Sequence, residues 1–455
     1  MSVRSQTVLF TGLVMITAVL AALSSVVPIQ IVIFGIVLGL AFVVQARRRI
    51  LLMAAILVPV IALIRRLLGG ETAYVAADPL VLLPITLLVI VLVSAKGRSE
   101  PRARPSWLGA TAVGVSLLVV VTVLLRGSFS IDVLYSAGSL VIPLLLFTGI
   151  VAERVPDIWP SLQKVIPILA VVVGSYGIFQ FLVLPEWDRN WMISSGLNSI
   201  GQPQPLLVRV FGTAESPGPY ANFIGLAVVL TVYSATVCRG FLPKAAWLGC
   251  SAFLTIPLLL SGVRSALLAT LVCAAVLMLI RGRGLGRVLP LVLIVAGGLA
   301  LTRIIGVVGG DTRVLSAERY TSFSSGTDNS VQARLGLLQY LTDPFAHVIG
   351  TPSGAHLDNL IVDVLVSFGL FAALGIALLY GGVIAQAMRN LGRRLPESAS
   401  ICAIFIAVVS VSGNVFTSPF GILIAIVFGS TCLTYLRSHR QAGLALDRQH
   451  ERHAS

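Results

Sequence analysis

The chain has 455 residues, 57% of them hydrophobic and only 11% charged, and its mean hydropathy is +0.98. A soluble chain of this length would be about a quarter charged and would need far more polar surface to face water; disorder is excluded by the same apolar excess. The net charge of +14 does not point to nucleic acid, because the bases sit in short links between apolar runs.

Those runs predict an all-α polytopic membrane protein with about 12–14 transmembrane helices, since a barrel would alternate over roughly ten residues rather than stay apolar for about twenty. In chain order they cover 8–26, 28–45, 50–64, 79–94, 108–125, 133–151, 162–184, 217–237, 245–261, 264–280, 288–308, 357–386, 398–412 and 416–436. The first run follows the single base Arg4 and precedes no clear small-residue cleavage site, so it reads as a retained span. The 50–64 run is short and reads as re-entrant or interfacial as readily as spanning. Only Ser261-Gly262-Val263 separates the ninth run from Arg264 and the tenth, which makes that hairpin tight. The five cysteines, Cys238, Cys250, Cys273, Cys402 and Cys432, lie in or beside apolar runs with no CxxC spacing, and read as small buried hydrophobes.

Most of the 32 lysines and arginines fall on alternate links and on the tail when the N-terminus is placed in the cytoplasm, among them Arg47 to Arg49, Arg154, Lys164, Arg239, Lys244 and Arg389. That asymmetry predicts cytoplasmic termini. The organisation is then one integral membrane domain, 1–455. It has a first extracytoplasmic loop at 185–216, a large one at 309–356 containing short helices, and a cytoplasmic tail at 437–455. A short helix is expected at 331–341, capped by Ser330 and ended by Asp343-Pro344. Long loops on rigid frames often carry chemistry.

Four basic side chains on the outer side stand out. Arg264 opens a strongly apolar run, where a guanidinium is costly unless it snorkels, pairs, or faces a polar cavity. Arg209 precedes a Gly- and Pro-rich approach to a helix start at Pro217, where free amides favour an anion; the plain alternative pairs it with Glu215. Arg334 falls in the first turn of the expected loop helix, where helix polarity gives a cation little reason to sit, unless it is simply a solvated surface arginine. His356 marks the return of the large loop to the membrane and is able to take a proton near neutral pH. Asp358 or Asp363 is placed to orient it. His347 and His356 are nine residues apart, and neither HExxH nor a Walker A sequence occurs, so neither a metal nor a nucleotide cofactor is expected. Arginines suit phosphate oxygens, and fixed arginines offset the charge that develops on a pyrophosphate leaving group.

Four segments in order carry a resemblance: RVFGTAESPGPYANFIG at 209–225, SGVRSALLA at 261–269, QARLGLLQYLTDPFAHVIG at 332–350 and AHLDNLIVDVLVSFGL at 355–370. Together they make the chain similar to the O-antigen ligase/polymerase superfamily of polytopic membrane glycosyltransferases. The resemblance implies an enzyme of the bacterial cytoplasmic membrane that moves a glycan from undecaprenyl pyrophosphate to an acceptor hydroxyl on the outer side. By the same resemblance Arg209 and Arg264 grip the pyrophosphate, Arg334 lines the donor or acceptor site, and His356 is the base or positions the acceptor; Arg264 is counted with His356 as catalytic, and Asp358 with the substrate-binding residues. The family pattern places asparagine directly after the histidine, whereas here Leu357 and Asp358 intervene before Asn359, and its GTF…PN pattern appears as GTAESPGPYAN. Polysaccharide polymerisation is the leading expectation. Ligation to a lipid or cell-wall acceptor, protein glycosylation and transport are the alternatives, the last because intramembrane charges also line permeation paths.

Overall fold

A computed structural model describes residues 35, 37–39, 46–69, 78–94, 106–127, 129–197, 200–281, 336–337, 339–351, 357–392, 398–411, 413–416 and 418–454. Among them the chain is helical, with one isolated antiparallel bridge between Gly201 and Val208. Among the described residues seven helices are long and apolar enough to cross a membrane, or eight if a bent pair is counted as one more span. The chain is therefore a multi-pass helical membrane protein. The expected spans 8–26 and 28–45 lie almost wholly outside the described residues, and 288–308 entirely so.

The first described helices, α1 (Arg47–Leu57) and α2 (Ile61–Gly69), are the bent pair, meeting at 62°. Pro59 sits at the break and has no N–H to continue the ladder. This is the short 50–64 run, and it is a broken element rather than a straight span. A 3-10 turn (Pro79–Leu82), started by the Asp78 side chain accepting from Leu80 N, leads into α3 (Leu83–Ser94). Helix α4 (Trp107–Arg126) is capped by Ser106 and closed by left-handed Gly127. Helix α5 (Ile131–Val151) is capped by Ser130. Then come α6 (Trp159–Val183) and the short α7 (Glu186–Ser195), followed by α8 (Pro217–Val237), α9 (Phe241–Leu260) and α10 (Arg264–Arg281).

Beyond the segment expected as the large loop, most of which lies outside the described residues, α11 (Leu360–Phe368) and α12 (Leu370–Gly392) replace the single expected span 357–386. The break is Gly369, at φ +97, where a Cβ would stand 2.5 Å from the Val348 carbonyl oxygen. Only a glycine lets the returning loop touch backbone here. Helices α13 (Ser398–Ser410) and α14 (Gly421–Ala454) complete the order, and α14 continues helical through the expected tail.

Helix α8 packs on α6, α9, α10 and α13, while α14 packs on α5, α12 and α13, and α4 bridges α5 and α12. Small residues allow the close approaches: Gly225 of α8 faces Phe405 and Thr270, and Gly382 of α12 faces Trp107 and Leu108. Apolar side chains such as Val113, Leu117, Leu124, Ile168, Val172 and Leu378 stay exposed, the surface expected to meet lipid.

The two ends of the bundle differ. At one end, Arg48 donates to Ser161 at 2.8 Å, Arg440 pairs with Glu153 at 3.1 Å, and Arg389 donates to Tyr435 at 3.1 Å. The other, termed the loop end, carries α7, the 200–216 segment, the 261–263 turn and the 348–351 segment. There Arg126, in the last turn of α4, donates to the carbonyls of Ile349 and Gly350, each at 3.1 Å.

Candidate functional site

The 209–216 segment is fixed from several sides. Arg209 N donates to Ile200 O at 2.8 Å and Val210 N to Leu260 O at 3.1 Å. The Gln180 side-chain oxygen accepts both Phe211 N, at 3.0 Å, and Gly212 N, at 2.8 Å. Gly212 has φ +49, and a Cβ there would lie 2.1 Å from the Tyr220 ring, so glycine is required twice over. Thr213 then enters the α1–α2 break. Its hydroxyl donates to the Pro59 carbonyl, and its own carbonyl accepts Leu63 N at 3.1 Å. In an unbroken helix Leu63 N would have bonded to Pro59 O. Thr213 thus supplies both halves of the missing rung.

Beside it lies a buried charge cluster that the sequence reading did not single out. Arg66 has no exposed surface; it pairs with Asp188 at 3.2 Å and donates to the Gly212 carbonyl. Asp188 also accepts from Gln180 at 2.7 Å and from Tyr176 at 2.9 Å. Burial pushes the Asp188 carboxyl above the usual carboxylate range, while Arg66, Gln180 and Tyr176 pull it back. Arg65 pairs with Asp78 at 2.9 Å and with Glu215. Trp191, fully buried, stacks under both arginines, with their guanidinium carbons 5.3 and 5.9 Å from the ring centre, and donates to Glu215 O at 3.2 Å. Glu215 is therefore the partner of Arg65, where the sequence offered it to Arg209. The available signal was the adjacent pair Arg65-Arg66 at the end of an apolar run.

Arg209 itself reaches the α9–α10 turn. Its Nε donates to Ser261 O at 3.2 Å and its Nη2 to Gly262 O at 3.3 Å. Gly262, at φ +64, leaves room for it, since a Cβ there would sit 3.3 Å from Arg209 Nε. Arg264 follows two residues on as the first residue of α10. Two predicted site residues, 55 positions apart in order, are thus brought to one turn. Both are half-buried. Helices α8 and α10 both start at this end, and a helix start favours an anion.

The segment after residue 356 borders the same end. Asp363, fully buried in α11, accepts Leu357 N at 2.9 Å and Asn414 Nδ2 at 2.6 Å. Asn359 caps α11 and donates to Val411 O at 3.1 Å. The chain just past this 411–414 stretch, at 418–420, meets Ala214, Glu215 and Pro219 around a cavity of ≈ 50 Å³, enough for about one or two waters. So the Arg209 loop and the residues following His356 are joined through one turn. Asp358 is exposed in the turn ahead of α11. Arg334 and His356 lie outside the described residues. Among the described residues no three His, Cys, Asp or Glu side chains group as metal ligands. Compared with known protein families and with curated proteins, the chain matches none.

Proposed function

We propose that the protein transfers a glycan from undecaprenyl pyrophosphate to an acceptor hydroxyl on the extracytoplasmic side, in cell-surface polysaccharide polymerisation. The observation that supports this most is the meeting of Arg209 with the turn that carries Arg264, at the open ends of α8 and α10. A lipid-linked pyrophosphate needs such an arrangement: a fixed positive site at the edge of the apolar bundle, open to lipid on one side. In this reading Arg209 and Arg264 hold the pyrophosphate and Arg334 and Asp358 contact the glycan. His356 takes the acceptor proton, the acceptor oxygen bonds to the sugar carbon, and undecaprenyl pyrophosphate leaves. Ligation to a lipid or cell-wall acceptor uses the same donor chemistry and differs only in the acceptor.

The test is the purified full chain in detergent with a lipid-pyrophosphate glycan, product mass being the readout. Linkage formation in detergent separates an enzyme from a transporter, which needs a sealed compartment. Arg264→Ala and Arg209→Ala are each expected to lower turnover roughly 100-fold or more. Full turnover and unchanged donor affinity in either variant removes that arginine from the site, and no product from wild type with any offered acceptor removes the reading.

A further inference from the structure

Gln180 stands in the last turn of α6 and is fully buried. Its amide makes three hydrogen bonds: Nε2 donates to Asp188 at 2.7 Å, and Oε1 accepts from Phe211 N at 3.0 Å and Gly212 N at 2.8 Å. These partners settle which way the amide faces. Turned over, it would set its NH2 against two N–H donors and its oxygen against a carboxylate.

The Gly212 residue is held on both sides by side chains that end on the same acid. Its N–H goes to Gln180 and its carbonyl accepts from Arg66, and both Gln180 and Arg66 bind Asp188. The contacts therefore close a buried ring through Gly212. The same end of α6 also carries the chain before it. Phe181 O accepts Leu206 N at 2.9 Å, and a Cβ on Gly177 would lie 2.9 Å from Val210 Cγ1, so Val210 rests on that glycine. Gly177, Gln180 and Phe181 are spaced to share one helix face. The backbone on either side of Arg209 is thus seated on α6, while its side chain reaches across to Ser261 O and Gly262 O of the α9–α10 turn.

We propose that Gln180 is a positioning residue for Arg209. With Asp188 and Arg66 it closes the ring that holds the 209–212 backbone, and so keeps the guanidinium at the turn leading to Arg264, where it meets the donor pyrophosphate. The inference rests on the donor reading above. A guanidinium offsets charge on a leaving group only when it is aimed beforehand, and a displacement of about 1 Å costs roughly 100-fold.

The experiment is a double-mutant cycle on the purified full chain in detergent, with turnover of the lipid-pyrophosphate glycan as the readout. Gln180→Met keeps the length of the side chain and loses all three bonds. It is expected to lower turnover roughly ten- to 100-fold. In a chain already carrying Arg209→Ala it is expected to cost about twofold or less, because the group it acts through is gone. A residue that only holds the fold lowers turnover by the same factor in both backgrounds; that result overturns the inference, as does full turnover in Gln180→Met.

Gln180→Glu covers the case in which Gln180→Met does not fold. Its carboxyl still accepts from Phe211 and Gly212, and one proton held between it and Asp188 restores the third bond. The ionisable groups around it are Asp188 of α7, Tyr176 of α6 and, through Asp188, Arg66 of α2. Its turnover relative to wild type at the same pH is expected to rise as pH falls, and to stay flat when Arg209→Ala is present in both. A flat ratio with Arg209 intact, or the same rise in both backgrounds, overturns the inference and leaves the donor reading standing. Full turnover in Arg209→Ala, or no product from wild type, overturns the donor reading at Arg209 and this inference with it.

Discussion

Arg66 is the side chain on which the loop end turns. Its charge is held by Asp188, by the Gly212 carbonyl and by the faces of Phe211 and Trp191, the guanidinium carbon standing 4.7 Å from the Phe211 ring centre. Removing one partner of such a buried pair strands the other charge, at a cost of about 3–5 kcal/mol, whereas replacing both with apolar groups of similar size can be close to neutral. Asp188→Leu is therefore expected to lower the unfolding midpoint in detergent strongly. Arg66→Met with Asp188→Leu should recover part of that loss, and equal midpoints for Asp188→Leu and wild type would show that the pair holds nothing. Arg209 is different, because it donates to two turn carbonyls and sits half-buried at the loop end. The sequence singled out Arg264 because it opens an apolar run and Arg209 because it precedes a Gly- and Pro-rich approach to a helix start; the pairing of Arg66 was hidden because its partners lie more than 100 residues away.

At the scale of elements, the bent pair α1–α2 shows how a loop completes a helix. Thr213 gives both a donor and an acceptor to the rung that Pro59 leaves open. Thr213→Val keeps the shape and removes the hydroxyl, leaving the Pro59 carbonyl bare; the expected loss is about 1–3 kcal/mol of stability, read as a lower midpoint with the helical signal preserved. An unchanged midpoint would mean that the hydroxyl is dispensable at the break. The proline was visible in the sequence as a short, doubtful run, but the residue that mends it was not. The α11–α12 break was less legible still. Phe368-Gly369-Leu370 lies in a continuous apolar run, and hydropathy carries no information about a backbone forced to φ +97 by the approach of Val348. By contrast α4, α5, α6 and α8 fall close to their expected bounds, because each is a run of about twenty apolar residues closed by a cap, a proline or a glycine.

For the whole molecule, the two ends make different uses of arginine. The end bearing Arg48, Arg154, Arg437 and Arg440 displays its bases, while the loop end folds Arg65 and Arg66 inward against acids. By the charge rule displayed bases face the cytoplasm, and the proposed orientation accordingly puts the loop end outside. With the native cysteines replaced, Gln204→Cys is expected to react with an impermeant maleimide on intact cells and Arg440→Cys only after permeabilisation. The opposite pattern would invert the protein and put the candidate site in the cytoplasm. Composition sufficed for the membrane class, and spacing sufficed for the longest helices among the described residues. The convergence of residues 66, 188, 212 and 213 came only from tertiary packing.

That convergence has a consequence for how the protein is made. The ribosome releases α1 and α2 long before it reaches residues 188–215. Until then Arg66 has no counter-ion from α7, and the Pro59 rung has nothing to close it. The nascent helix pair is thus unfit to settle alone in hydrocarbon. It has to wait near the interface or beside the insertion machinery for some 150 residues of later chain, and its final docking is a late event in biogenesis.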